Sequence, residues 1–184
     1  MAEVGESGAA RKAGIWSLNR RETQLSVHNR ALMIMHSHPD IREGELEPSI
    51  KAIAETAAKI LNVEMVRFWM NDTGEYVCID EYNAVSHKHY PKTGINERFN
   101  RIYEVNFELK RQLTIDDTLE ADLPEDMAAV YARYNIRSVL YCPIRLRGNV
   151  VGAIAMADSK PRKWTVEDES FGSSLADFTA LLLG

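Results

Sequence analysis

Three groups of side chains in this sequence have the types and spacing for chemistry. Two His-x-His pairs, His36 with His38 and His87 with His89, would place both imidazoles on one side of a strand, as a metal pair needs. Both lie in or beside loop-like text without a neighbouring cysteine or carboxylate cluster, so solvated histidines and no bound metal are expected. Cys78 and Cys142 are the only two cysteines, and both fall inside apolar strand-like runs. They read as buried free thiols of a cytoplasmic protein. The third group is charged and aromatic: Arg67 with Asp80, then Trp69, Tyr82, Phe99 and Tyr141. The sequence has no phosphate-cradling glycine loop, nucleophile elbow or metal-protease helix motif. Binding rather than catalysis is therefore the expected chemistry.

Strands must position these groups, and the plainest are in the last third of the chain. Two apolar runs, from Ile136 to Arg147 and from Val150 to Asp158, flank Gly148-Asn149, the signal of a two-residue hairpin turn. Counting outward pairs Arg147 with Val150, Pro143 with Ile154, Tyr141 with Met156 and Val139 with Asp158 on one face. The other face then carries Leu146, Ile144, Cys142, Leu140 and Ser138 beside Val151, Ala153, Ala155 and Ala157. Its alanines would leave shallow relief for a helix. A second hairpin is expected from strands at about Glu64–Asn71 and Tyr76–Tyr82, turning at Asp72-Thr73-Gly74. Alternation sends Val66, Phe68, Met70, Val77 and Ile79 toward the helices. It leaves Arg67, Trp69, Cys78, Asp80 and Tyr82 on the side of Tyr141 and Met156. With Phe99 and Asp116 from the intervening segment, these are the ligand-pocket candidates. Arg67 and Asp80 either neutralise each other at the pocket floor or leave Arg67 to anchor an anion.

Around the strands the text is helical. Residues 1–15 read as a disordered tail, residues 16–46 as an N-terminal helix and connector, and residues 47–184 as the main domain. In the first helix Leu18, Leu25 and Leu32 recur at seven-residue spacing, with His28 and Met35 beside them. That narrow stripe suits either the domain's own surface or a homodimer seam. Pro39 and Gly44 break the helix, and Glu47-Pro48 opens a second helix to about Leu61, with proline at its first position. A helix is expected from about Asn96 to Lys110, a strand from Gln112 to Ile115, and another helix from Pro124 to Tyr134. A closing helix begins after Thr165, whose side chain forms a capping box with Asp168. It carries Phe171, Leu175, Phe178 and Leu182 on one stripe.

The chain has 184 residues, 45% hydrophobic and 27% charged, enough for one full core. Its formal net charge of −5 argues against nucleic acid as the main partner. No apolar run approaches membrane-spanning length, and Met1 to Gly14 lacks the apolar core of a secretory signal.

The text resembles the GAF domain family of bacterial sensory modules. The matching residues are Ser138-Val139-Leu140, Pro143-Ile144-Arg145, the Gly148 turn, Val151-Gly152, Arg162-Lys163-Trp164-Thr165 and Ser174-Leu175-Ala176-Asp177. Upstream, the run from Ala57 to Val63 followed by Phe68-Trp69 also matches, so the similarity spans roughly residues 47 to 183. The resemblance implies an α+β fold with a GAF/PAS-like antiparallel sheet of five or six strands. Terminal helices would cover one face, and loops and short helices the other. It implies a module that binds a small molecule or relays a signal to a downstream histidine kinase or diguanylate cyclase in a two-component system, cut here from a longer protein. No covalent bilin is expected, because photoreceptor members attach it through Cys-His, whereas Cys78 precedes Ile79 and Cys142 precedes Pro143. The alternatives are a stand-alone cyclic-nucleotide-binding module, although an Asn-Lys-Phe-Asp-Glu run is absent, and a redox enzyme on the same fold.

Overall fold

The computed structural model describes residues 4–72, 75–91, 96–97 and 106–184. The chain runs α1 (Val4–His36), α2 (Pro39–Glu43), α3 (Leu46–Leu61), β1 (Met65–Asp72), β2 (Glu75–Asn83), β3 (Lys88–Pro91) and β4 (Asn96–Glu97). It continues with β5 (Leu113–Ile115), α4 (Glu125–Arg133), β6 (Ser138–Leu146), β7 (Asn149–Asp158) and α5 (Val166–Leu183). Six strands form one sheet in the order β3-β2-β1-β7-β6-β5, and the short β4 also pairs with β2. Every pairing is antiparallel.

Local boundaries differ from expectation in three places. The helix begins at Val4, inside the stretch expected to be a tail; Ala9-Ala10-Arg11-Lys12-Ala13 are strong helix formers. Pro48 occupies the third position of α3 instead of the first. Proline is tolerated through that first turn because its amides have no partner within the helix. Asn96 and Glu97 are a strand rather than a helix start, residues 106–109 are helical, and residues 98–105 between them lie outside the described residues. The capping box of α5 is present: Asp168 donates its amide to Thr165 Oγ1 at 3.1 Å, and Thr165 donates its own to Asp168 Oδ2 at 3.2 Å.

Two β-bulges decide which side chains share a face. In the β6–β7 hairpin the turn is Arg147-Gly148, with φ of 52° and 86°, so Leu146 pairs with Asn149 and Arg145 with Val150. The register then slips, Ile144 pairs with Gly152, and Val151 is left as the extra residue. Beyond that point Tyr141 pairs with Ala155 and Leu140 with Met156. The alanines and Met156 are therefore on the faces opposite to those expected, because a one-residue slip turns every later side chain over. Gly152 makes room at this bulge, since a Cβ there would meet the Trp69 carbonyl oxygen at 2.3 Å. In β2 the same device acts at Ile79: Trp69 pairs with Cys78, but Phe68 pairs with Asp80.

The core between the sheet and the helices contains Val66, Phe68, Leu140, Cys142, Ile144, Ile154 and Met156 against Ile53, Ala57, Leu61, Phe171 and Leu175. Full burial of one such large apolar side chain contributes about 1.5–3 kcal/mol. The face under α5 is not lined by alanines, so its close seat comes from Gly172. A Cβ there would lie 2.8 Å from Cys142 Sγ and 3.1 Å from both Leu140 and Met156. The helix α1 rides outside this layer, in contact with α3 and α5, and from Ala13 onward its buried side chains are His28, Ala31 and Met35.

A candidate binding face on the open side of the sheet

The face away from the terminal helices collects Trp69, Tyr76, Cys78, Val139, Tyr141, Ala153, Ala155 and Ala157, closed over by Phe107, Tyr131 and Ile136. The three alanines are shallow, and the aromatic rings fill the space above them. Phe107 lies 5.9 Å from Tyr141 and 6.3 Å from Tyr76 between ring centroids. The Tyr131 and Tyr141 hydroxyls share a buried hydrogen bond of 3.1 Å. Arg145 holds the 106–110 segment in place by donating to the carbonyls of Phe107 and Lys110.

Arg67 is the buried charge of this face, only 4% exposed. It donates from Nε to Glu81 Oε2 at 2.7 Å, and its guanidinium carbon lies 4.4 Å from the centre of the Tyr134 ring. A buried guanidinium is tolerable because a carboxylate and an aromatic face replace its water. Its partner is Glu81 and not Asp80, since the bulge at Ile79 turns Asp80 over.

Of the nine candidates from the sequence, Arg67, Trp69, Cys78 and Tyr141 share this face. Asp80, Tyr82 and Met156 are on the helix side, contrary to expectation, for the bulge reasons given above. Asp80 Oδ2 accepts from His89 Nδ1 at 2.8 Å, and His89 Nε2 lies 3.3 Å from Glu55 on α3. The Tyr82 ring stacks 4.6 Å from that imidazole, and its hydroxyl meets His87 Nδ1 at 3.3 Å; burial raises the Tyr82 pKa. His89 is thus engaged between two carboxylates rather than solvated. Asp116 is also elsewhere, tying β5 to the approach of α5: its carboxylate accepts from the Trp164 amide and its carbonyl from the Arg162 amide. Phe99 lies outside the described residues.

Glu81, Phe107, Tyr131 and Tyr134 were missed. The three-residue spacing of Tyr131 and Tyr134 in a helix of otherwise modest apolarity was the available signal for two of them. Cys142 is buried on the helix side, opposite Cys78, and burial pushes its thiol pKa far up. Among the described residues no group of three or more His, Cys, Asp or Glu is arranged to hold a metal ion.

Cavities open at both ends of the aromatic cluster. One of about 360 Å³, beside the β6–β7 turn, is lined by Asn71, Tyr76, Glu108, Arg145 and Asn149. The other, about 160 Å³, lies between Met65, Asn83, Tyr134 and Asp158. Burial and the neighbouring Glu64 raise the Asp158 pKa.

Six antiparallel strands in this order, with helices from both chain ends on one face and short elements on the other, define the α+β fold of small sensory domains. The GAF domain family matches residues 45–183, and the chain belongs to that family, whose members are sensory and regulatory modules. No curated protein matches the chain. Among solved structures, the GAF domain of a phosphoenolpyruvate-protein phosphotransferase from Coxiella burnetii is similar at 16% identity and a TM-score of 0.66, over 89% of this chain and 94% of that one. The blue-light absorbing form of the Thermosynechococcus elongatus PixJ GAF domain is similar at 22% identity and a TM-score of 0.62, over 78% and 86%. The far-red absorbing dark state of JSC1_58120g3 with bound biliverdin is similar at 14% identity and a TM-score of 0.72, over 85% and 97%. These likenesses establish the fold. No helix among the described residues is long and apolar enough to cross a membrane.

Proposed function

We propose that this chain takes up a small molecule on the aromatic face of its sheet and relays occupancy through α1 and α5 to an output domain in bacterial signal transduction. The observation that carries this reading is the asymmetry of the sheet. One face packs against α3 and α5, whereas the other, covered by Phe107, Tyr131 and Ile136, carries Trp69, Tyr76 and Tyr141 with the Arg67–Glu81 pair and a cavity at each end. Aromatic planes beside one buried guanidinium suit a planar, anionic ligand, which would draw Arg67 away from Glu81. A cyclic nucleotide has that chemistry. A redox enzyme has less support, because Cys78 and Cys142 are buried on opposite faces, and so has a bilin attached through either thiol.

The α1 surface favours a homodimer as the transmitting form. Leu18 and Leu25 are 59% and 43% exposed, and Ile15 and Met33 extend the same stripe. Leu32, the third residue of the seven-residue stripe, packs on the chain's own core, whereas Leu18 and Leu25 are left for a two-helix seam.

Native mass spectrometry of freshly purified wild type and Arg67→Ala tests ligand uptake, with thermal shifts against a panel of planar anions as the second measurement. A retained or added anion that stabilises the wild type and not the variant is the expected result. A wild type that holds nothing and shifts with no member of the panel refutes it.

A further inference from the structure

We propose that His28 is an acid-sensitive latch, whose neutral ring lets α1 lie against α5 and whose protonation loosens α1 from the domain. The ring is 4% exposed and stacks on Phe171 at a centroid distance of 4.6 Å and an interplanar angle of 23°. Its Nδ1 is buried with no hydrogen-bond partner. The neutral imidazole can keep its single proton on Nε2 and leave Nδ1 bare, so the cost of burial is small. A second proton would have to sit on Nδ1, buried and without an acceptor, which is the expensive arrangement for a charged group.

The charged groups around the ring do not rescue that proton. From α5 they are Glu167 and Asp168, and both favour the charged form, but burial outweighs them and the His28 pKa is lowered. Asp168 is already committed to Gln24, Arg162 and the Thr165 amide. Glu167 faces Arg21 of α1 at 3.4 Å. No charged group of α2 or α3 among the described residues acts on the ring.

The docking of α1 is thin enough for one proton to matter. Its buried side chains between Ile15 and His36 are His28, Ala31 and Met35, and its other polar ties to α5 and its cap are Gln24 and Arg21. When α1 lifts, His28 regains water and its ordinary pKa near 6.5. A histidine whose pKa is depressed on docking contributes fully above that ordinary value and loses its contribution as pH falls through the depressed one. Acid therefore releases the helix. This concerns the chain's own packing and holds with or without a ligand on the opposite face.

Amide hydrogen exchange, corrected for intrinsic rates, reads the latch directly in residues 24–36. In the wild type, protection of that segment should fall about tenfold or more between about pH 7.5 and about pH 5, while β6 and β7 hold theirs. His28→Phe keeps a stacking ring that cannot be charged, and its protection should change less than about twofold over the same range. Wild-type protection that is flat with pH overturns the proposal, as does an equal fall in His28→Phe, which would assign the effect to another group of the segment, such as His36 against Phe178. Should the variant fail to fold, the His28 ring titration in the wild type decides by NMR: a midpoint below the ordinary value supports the latch, and one at or above it refutes it.

Discussion

Gly172 offers the sharpest test of how α5 is seated. An alanine at this position brings a methyl 2.8 Å from Cys142 Sγ and 3.1 Å from the ends of Leu140 and Met156, all fully buried. Normal contact is roughly 3.5–4.0 Å, so the sulfur is about 1 Å too close and the helix or the strand must move. Relieving glycine's helix penalty gains about 1 kcal/mol, and overpacking a dense core costs about 1–3 kcal/mol. The net expectation is a loss of about 1 kcal/mol, or about 2–4 °C in Tm for a chain of this size. Removing the sulfur separates the two effects. Cys142→Ala alone should lose about 1 kcal/mol of burial, whereas in the Gly172→Ala, Cys142→Ala double variant the methyl fills the vacated space. A favourable coupling of about 0.5–3 kcal/mol is expected from urea midpoints of the four proteins. Gly172→Ala more stable than the wild type, or strictly additive variants, would refute the close-approach account.

At the buried ion pair, Arg67→Ala leaves Glu81 without its guanidinium and should cost about 3–5 kcal/mol, while the Arg67→Ala, Glu81→Ala double variant costs less than the single. A double variant less stable than Arg67→Ala would show that Glu81 has another stabilising partner. Asp158 has a raised carboxyl pKa, so its folded state binds the proton more tightly than the unfolded chain, and its contribution to stability is lost as pH rises through the raised value. Asp158→Asn should accordingly be more stable than the wild type at neutral pH, with the advantage vanishing toward pH 3; chemical denaturation at the two pH values checks it, and an advantage that grows in acid counts against it. For the α1 seam, sedimentation of the wild type against Leu18→Glu, Leu25→Glu should show a dimer dissociated by the charges, and a wild type that stays monomeric at high concentration rules the seam out.

Much of the scaffold was legible because it depends on local chemistry. The apolar stripe of Ile50, Ile53 and Ala57, the Thr165–Asp168 capping box and the two long hairpins each follow from spacing within a few residues. The opposite placement of Cys78 and Cys142 was legible too, as was the common face of Arg67, Trp69 and Cys78. Three of the pocket candidates were misassigned for a non-local reason. Strand alternation has a period of two, so one inserted residue reverses the facing of everything after it, and nothing in Ile79 or Val151 announces an insertion.

Both bulges are set by partners distant in sequence. Ile79 is extruded because Trp69 and Phe68 of β1 take Cys78 and Asp80 as neighbours, and Val151 because Gly152 must lie against the Trp69 carbonyl. The resemblance to the GAF family carried the fold class, and periodicity by itself marked most of the helices and the presence of an aromatic face. Only the assembled sheet decided that Arg67 meets Glu81, that Asp80 and Tyr82 meet His89 under α3, and that His28 is shut between α1 and α5. Those pairings depend on which strands and helices become neighbours, and burial then selects the partner each polar atom can reach.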